Sequence, residues 1–356
     1  MMKFLLCAVM LLFTSSTSLS AQANPGIPEA VNAFLKTLQP EQLEKTVYDF
    51  KDSLRYKWTN LPIGMVPRPG IGYGSLSDES RMAFHRVLSA LLSSQGYLKT
   101  TSIMQLDDIL NDLYQQSFDE GKINASMLKR MQDLKWAHGN FFISVWGKPG
   151  KDAAWGINFG GHHLALNYTS DGKTGAMSPY FVGTDPSEVK FGKYAGWRVL
   201  SKEEDYGFLL VNSLNDQQKS KAILDQKVPQ DIITSPQSSQ RITEYYGIPG
   251  KELDQTQKTF LKLIIMEYVH NFEHNKAHEV MDKIEKTGLD MVYFCWIGSQ
   301  ENNKAHYYII HGPDFLIEYD NVGFQNDGNH IHAIFRENGN DFGEDILKQH
   351  YSQGGH

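Results

Sequence analysis

The hydrophobic period of this chain changes partway along, and that change limits what it can fold into. From Pro28 to about Met131 apolar residues recur at helix spacing: Ala33, Phe34 and Leu38, then Leu43, Val47 and Phe50. Met82, Phe84, Val87, Leu88, Leu91 and Leu92 form a stripe behind Ser77, which is placed as an N-cap. From about Phe141 the period falls to two. Phe141–Trp146, Trp155–Tyr168 and Tyr180–Val182 read as strands separated by Gly, Pro and Asp turns.

Helix then returns. Ser201 to Glu204 reads as a capping box for a helix reaching about Asp225, and Asp254 to Gln257 as one for a helix reaching about Lys286 before Gly288. Met291–Ile297 is an unbroken apolar run, as expected of a strand covered on both faces. His306–His311 and Phe315–Asp320 read as a hairpin around Gly312-Pro313-Asp314, His330–Phe335 as a further strand and Asp341–His350 as a closing helix. The pattern predicts an α+β fold. A helical part (24–131) precedes a mostly antiparallel sheet assembly with interspersed helices (132–356). Residues 228–250, rich in Pro, Ser and Gln, read as linker-like inside one large domain, 24–356. No internal repeat is visible.

The first residues carry a different message. Met1-Met2-Lys3, an apolar run from Phe4 to Phe13 and small residues at Ala21 and Ala23 have the form of a secretory signal over residues 1–23. The run is too short to span a bilayer comfortably, so no membrane span is expected after cleavage. Periplasmic or secreted localisation follows. Only Cys295 would remain beyond the signal, so stability must come from packing rather than an internal disulfide. A net charge of −7, with no basic run interleaved with aromatics, argues against a nucleic-acid partner.

Two histidine clusters point at chemistry. In His330-Ile331-His332 the imidazoles share one strand face, with Glu318 and Asp320 at matching positions on the preceding strand. That arrangement suits a His/carboxylate metal site open to water. The bland reading is a half-buried strand showing its polar residues on one side. His162 and His163 are adjacent, so on a regular strand they face opposite ways, unless Gly160-Gly161 permits a bulge that turns both rings toward one site. A backbone hydrogen bond is the simpler reason for burying one of them. His270, His274 and His278 lie roughly opposite the apolar stripe of their helix and read as solvated. Cys295 reads as a small core residue. No nucleophile elbow, phosphate loop or His-Glu-x-x-His motif occurs.

Taken together, the motifs resemble a family. Trp155-Gly156, Gly161-His162-His163-Leu164, Asn167, Pro179, Phe181 and Gly183 form one signature. His306-Tyr307-Tyr308, Gly312-Pro313, Glu318-Tyr319-Asp320-Asn321, Asn329 to His332, Arg336 and Asp341-Phe342-Gly343 form a second. Both are similar to those of the bacterial domain-of-unknown-function family numbered 3500. The likeness covers nearly the whole mature chain and implies no activity. The chain departs from it at Ile309, where the family carries a basic residue nearby, and at Ile157-Asn158.

These residues predict an exported metal-dependent enzyme holding zinc, copper or iron. The expected ligands are His162 or His163 with His330 and His332, and His306 as a substitute. Glu318 would act as ligand or general base, while Tyr308 and Arg336 orient a small-molecule or polymer-derived substrate. Zinc would serve hydrolysis, which nearby carboxylates favour slightly; copper or iron would serve oxidation. The alternatives are a non-catalytic periplasmic metal- or ligand-binding protein, and histidines that only brace turns.

Overall fold

The computed structural model describes residues 26–352, apart from 237, 239, 324 and 325. The secretory signal expected at 1–23 lies outside the described residues. Two short helices, α1 (Ile27–Leu35) and α2 (Pro40–Thr46), lead into β1 (Val47–Tyr48). After a long irregular segment come β2 (Ile71–Gly72), α3 (Asp78–Leu91), α4 (Ser94–Asp119) and α5 (Ala125–Gln132). A four-stranded meander follows: β3 (Phe142–Trp146), β4 (Trp155–Gly161), β5 (Leu164–Ser170) and β6 (Gly175–Thr184).

The same order then recurs. Helices α6 (Ser201–Ser213) and α7 (Asp216–Ala222) lead into β7 (Ile223–Leu224), and a second irregular segment separates it from β8 (Ile248–Pro249). Helices α8 (Gln255–Val269) and α9 (His274–Thr287) precede a second meander, β9 (Tyr293–Gly298), β10 (His306–His311), β11 (Phe315–Asp320) and β12 (Ile331–Glu337). Helix α10 (Glu344–Ser352) closes the described chain. In each half the two-residue strand before the irregular segment runs parallel to the meander's first strand, and the one after it runs antiparallel.

The repeat that the sequence hides is therefore explicit in the fold. Part of what the halves share in sequence lies in turns and caps. Gly70-Ile71 with Leu76-Ser77 matches Gly247-Ile248 with Leu253-Asp254, and Ser77 and Asp254 are both N-caps. Gln42 and Gln218 each accept from the backbone N–H three residues before them. Core positions have diverged, since only volume and polarity must be kept there.

The two meanders join through antiparallel β6 and β12 into one twelve-stranded, mostly antiparallel sheet. One face is packed by helices: Phe34, Phe84, Leu210, Ile264 and Tyr268 meet Ile157, Val182, Ile317 and Phe335 in the main core. Among the described residues, the apolar clusters on the other face contain no helix residue. There Leu224, Val228, Ile233 and Ile242 lie over Cys295, Ile297, Tyr307 and Ile309, while Ile232 and Trp58 lie over Phe181 and Ile334. Val228, Ile232, Ile233 and Ile242, from the stretch read as linker-like, thus help to cover the sheet. The composition of that stretch misleads because extended backbone tied by side-chain hydrogen bonds needs no periodicity. Burial on both faces explains the unbroken apolar run of β9.

Three helix expectations need correction. The spacing of Leu43, Val47 and Phe50 does not continue as helix, since α2 ends at Thr46 and Val47–Tyr48 is β1. The segment from Ser201 breaks at Leu214, where Asn215 starts α7 with its own capping box, and Ser201 does not cap α6. The segment from Asp254 breaks at His270–Glu273, where Glu273 caps α9. Among the described residues no helix is long and apolar enough to cross a membrane.

Candidate metal centre

His162 and His163 do not sit on a strand. They form the two-residue tip of the β4–β5 hairpin, which the paired Gly161 and Leu164 close. His163 adopts φ 61°, a left-handed conformation that histidine takes more readily than β-branched residues do. The tip, rather than a bulge, turns both rings the same way, and they stack with centroids 3.8 Å apart. The tip is held on two sides. Its His163 N–H donates to Asn60 O at 3.1 Å, and His163 O accepts from Gly183 N at 2.8 Å. Arg68 fastens the covering segment beside it through Thr59 O and Gly161 O, both at 3.0 Å.

His330 leads into β12, and His332 lies on it across from Gly183 of β6 and Asp320 of β11. Gly183 has to lack a side chain. A Cβ there would come within 3.1 Å of the His163 ring and 3.2 Å of the His332 ring. Asn329 fixes the approach to the strand by accepting from Ser187 Oγ and Glu188 N through Oδ1.

Folding so brings three Nε2 atoms to one point. His163 and His330 Nε2 are 2.9 Å apart, and His330 and His332 Nε2 3.1 Å. An sp² ring nitrogen offers one in-plane position, either a proton or a lone pair, so His330 Nε2 cannot hydrogen-bond well to both neighbours. An ion can use all three lone pairs. Nitrogens each about 2 Å from a tetrahedral ion lie roughly 3.3 Å apart, close to what is seen. His163, His330 and His332 are a group able to hold a metal ion.

The far sides of the rings meet carboxylates. His332 Nδ1 lies 2.8 Å from Asp231 Oδ1 and 3.7 Å from Asp320 Oδ2, and His330 Nδ1 lies 3.4 Å from Asp185 Oδ2. Such partners orient ligating imidazoles and raise their basicity. Beside the group, His162 Nδ1 is 2.7 Å from Asp107 Oδ1 of α4. The outer side of His162 stacks on Trp136.

Electrostatics follow from burial. Burial, reinforced by the neighbouring imidazoles, holds His163 and His330 well below the usual histidine range, so both keep lone pairs at neutral pH. Burial alone would lower His332 too, but Asp320 and Asp231 outweigh it and raise it. Burial pushes the Asp320 carboxyl up to about 7 and that of Asp185 up to about 6. A pocket that raises both acids and the base between them favours added positive charge, whether protons or a cation.

Other residues expected at the site are placed differently. Glu318 lies on the same sheet face as Asp320, but its carboxylate accepts from Ile233 N at 2.6 Å, Tyr307 Oη at 2.6 Å and Thr234. Arg336 donates to Thr234 Oγ1 and Thr234 O and pairs with Asp341. Both side chains pin the 231–234 segment, which carries Asp231. Tyr308 projects from the helix-packed face, donating to Glu203 O at 2.9 Å and meeting Tyr268 Oη at 2.8 Å. Strand alternation from Tyr308 puts His306 on that face as well, stacked on Trp296 and Tyr319. It is therefore no substitute ligand. His274 and His278 are exposed, and His270 is half-buried at the end of α8.

Burial lowers His306 to about 4, below the ordinary 6.5. Between those values an unfolded chain binds a proton there that the folded one refuses, so stability rises with pH across that window. At the acid end the term is about 3 kcal/mol by the linkage relation. Urea titrations should show the wild type losing about that much more stability than His306→Phe between pH 7 and pH 4. Parallel losses would mean that His306 is not held neutral.

Asp107, Asp185 and Asp231 escaped the sequence reading. Asp107 carried a usable signal: it interrupts the buried stripe Ile103, Met104, Leu106, Leu110 of α4. Asp185 follows a strand and Asp231 lies in the apparent linker, and neither position stands out locally. No curated protein and no solved structure matches the chain. The pattern of one family, described as "Protein of unknown function (DUF3500)", matches residues 20–344, and the chain belongs to that family.

Proposed function

We propose that the protein is an exported metal-dependent hydrolase whose ion is held by His163, His330 and His332. The convergence of three Nε2 atoms, from the buried His163 and His330 and the partly buried His332, with carboxylates behind two of the rings, carries this reading. Three protein ligands leave a fourth position for water or substrate, the pattern of catalytic rather than structural zinc. His330 and His332 side chains keep 10% and 12% exposure, so the centre is dry but reachable. Zinc there would lower the pKa of a bound water and polarise a scissile carbonyl or phosphoryl group.

The chain's own groups supply the rest. With Nδ1–H donating to Asp107, His162 would keep its Nε2 lone pair on a ring stacked against His163, and would be the base that takes a proton from an attacking water. Asp107 holds that tautomer. Asp185 and Asp231 orient His330 and His332, and Glu318 and Arg336 hold the segment that carries Asp231. Export rests on the signal-like first 23 residues.

The test is metal analysis of protein purified without added metal, with assays on chromogenic esters and phosphoesters. The expected result is bound zinc and an activity that His162→Ala lowers by roughly 10²–10⁴-fold with zinc retained. Absence of metal would overturn the reading. Copper or iron in place of zinc would overturn the hydrolytic chemistry, and an unchanged His162→Ala the role of that ring.

A further inference from the structure

The three-histidine centre uses one nitrogen of His332 and leaves the other facing two acids. We propose that His332 Nδ1, Asp231 and Asp320 form a second cation site, so that the His332 ring bridges two metal ions as an imidazolate. The inference rests on the preceding reading, that the Nε2 side holds a metal.

The geometry carries it. One ligand atom from each of Asp231, Asp320 and His332 lies within 4.8 Å of the other two. Asp231 Oδ1 is 2.8 Å from His332 Nδ1 and also accepts from Ile232 N at 2.7 Å. Asp320 is fully buried. Its Oδ1 accepts from Val322 N at 3.2 Å, but its Oδ2, 3.7 Å from the same His332 nitrogen, has no hydrogen-bond partner.

Nδ1 can carry one proton, and that proton can satisfy one carboxylate. Asp231 takes it by distance. The buried Asp320 Oδ2 then faces the nitrogen without a hydrogen-bond partner, a costly arrangement for a polar group. A divalent cation at the same place uses all three atoms at once. Donors about 2.0–2.2 Å from one ion lie roughly 3–3.6 Å apart, a spacing the group reaches with small movements.

The donor set of two carboxylate oxygens and one imidazole nitrogen suits zinc, copper(II) and other divalent transition ions. Charge also balances. The incoming ion replaces the Nδ1 proton, which leaves to solvent, and two dications then face one imidazolate and two carboxylates, with Asp185 near the first ion. Entry is from the Asp231 side, since that side chain is 34% exposed whereas Asp320 is sealed.

The stoichiometry of the intact protein decides the matter. The chain is stripped with a chelator, reloaded with excess zinc(II) or copper(II), freed of unbound metal by gel filtration and counted. Two ions per chain are expected in the wild type and one in Asp231→Asn/Asp320→Asn, whose side chains keep their size and can still accept from Nδ1–H. With copper, a pair coupled through the imidazolate shows low-temperature paramagnetic resonance intensity well below its copper content. The variant should show full intensity.

One ion per wild-type chain, with full intensity, overturns the second site and leaves the three-histidine centre standing. No ion at all overturns both. The wild-type count and spectrum decide even if the double variant fails to fold.

Discussion

His330→Ala/His332→Ala should leave a folded protein that binds no transition metal and gains no stability from one. Both side chains lie on the loop-covered face with 10% and 12% exposure, the His332 ring against Phe181. Their loss opens space beside Asp231 and Asp185 rather than a hole in the sheet. What disappears is two of three convergent lone pairs. A ligand present at 1,000 times its dissociation constant stabilises the native state by about 4 kcal/mol, and metal sites readily reach that regime. A chelator should therefore lower the unfolding temperature of the wild type by several degrees and leave the variant unmoved. Metal content should fall to background. A variant that kept its metal, or a wild type indifferent to chelation, would mean that the three rings do not act together.

A second large effect is expected on the opposite face, with the opposite signature. Lys99 of α4 lies among the helices and bridges Glu203 of α6 at 2.8 Å and Glu267 of α8 at 2.6 Å. The Glu203 side chain has no exposure, and Lys99 has 9%. Burial alone would lower Lys99, but the two carboxylates outweigh it and raise it; burial raises Glu203. Lys99→Ala strips the counter-charge from two acids that cannot reach water freely. Breaking a buried pair in this way costs about 3–5 kcal/mol.

The pH dependence has a definite sign. Burial already raises the folded-state pKa of Glu203, and without Lys99 nothing offsets that rise, so its contribution to stability is present at low pH and lost as pH rises through it. The deficit against wild type should be smaller at pH 5 than at pH 8, and metal content should not change. A deficit within about 0.5 kcal/mol, typical of a neutral surface site, would show that the three charges are already solvated.

The parts of this fold that could be read in advance are those where local chemistry decides. The Ser77 cap, the Gly312-Pro313-Asp314 hairpin and the change of period near Phe141 depend on neighbours in the chain, and each lies where its residues indicate. The turn at His162-His163 was hidden because the apolar alternation on either side runs through it, and histidine is not a residue that turn rules single out. Asp231 was hidden differently. Its segment owes its conformation to Glu318 and Arg336, about a hundred residues away, and long-range hydrogen bonds leave no periodic trace. The same distance effect makes Glu318 look like chemistry when its bonds are spent holding a loop. The doubling of the fold stayed invisible because the matching residues are few and scattered among caps, turns and single strand positions.

That doubling has a consequence for the order of events. The hairpin tip bearing His163 and the β6 end bearing Asp185 belong to the first half of the chain, while Asp231, Asp320, His330 and His332 belong to the second. For the three-histidine centre, neither half owns all three rings. As the polypeptide is laid down from its N-terminus, His163 waits for more than 160 residues before a co-ligand exists. An ion held by all three rings would therefore arrive after β12 has zipped onto β6, and its capture would certify that the two halves have met in register. Metal loading would then serve as the protein's own receipt of assembly. A chain cut anywhere between the meanders would go unsigned unless its pieces found each other again.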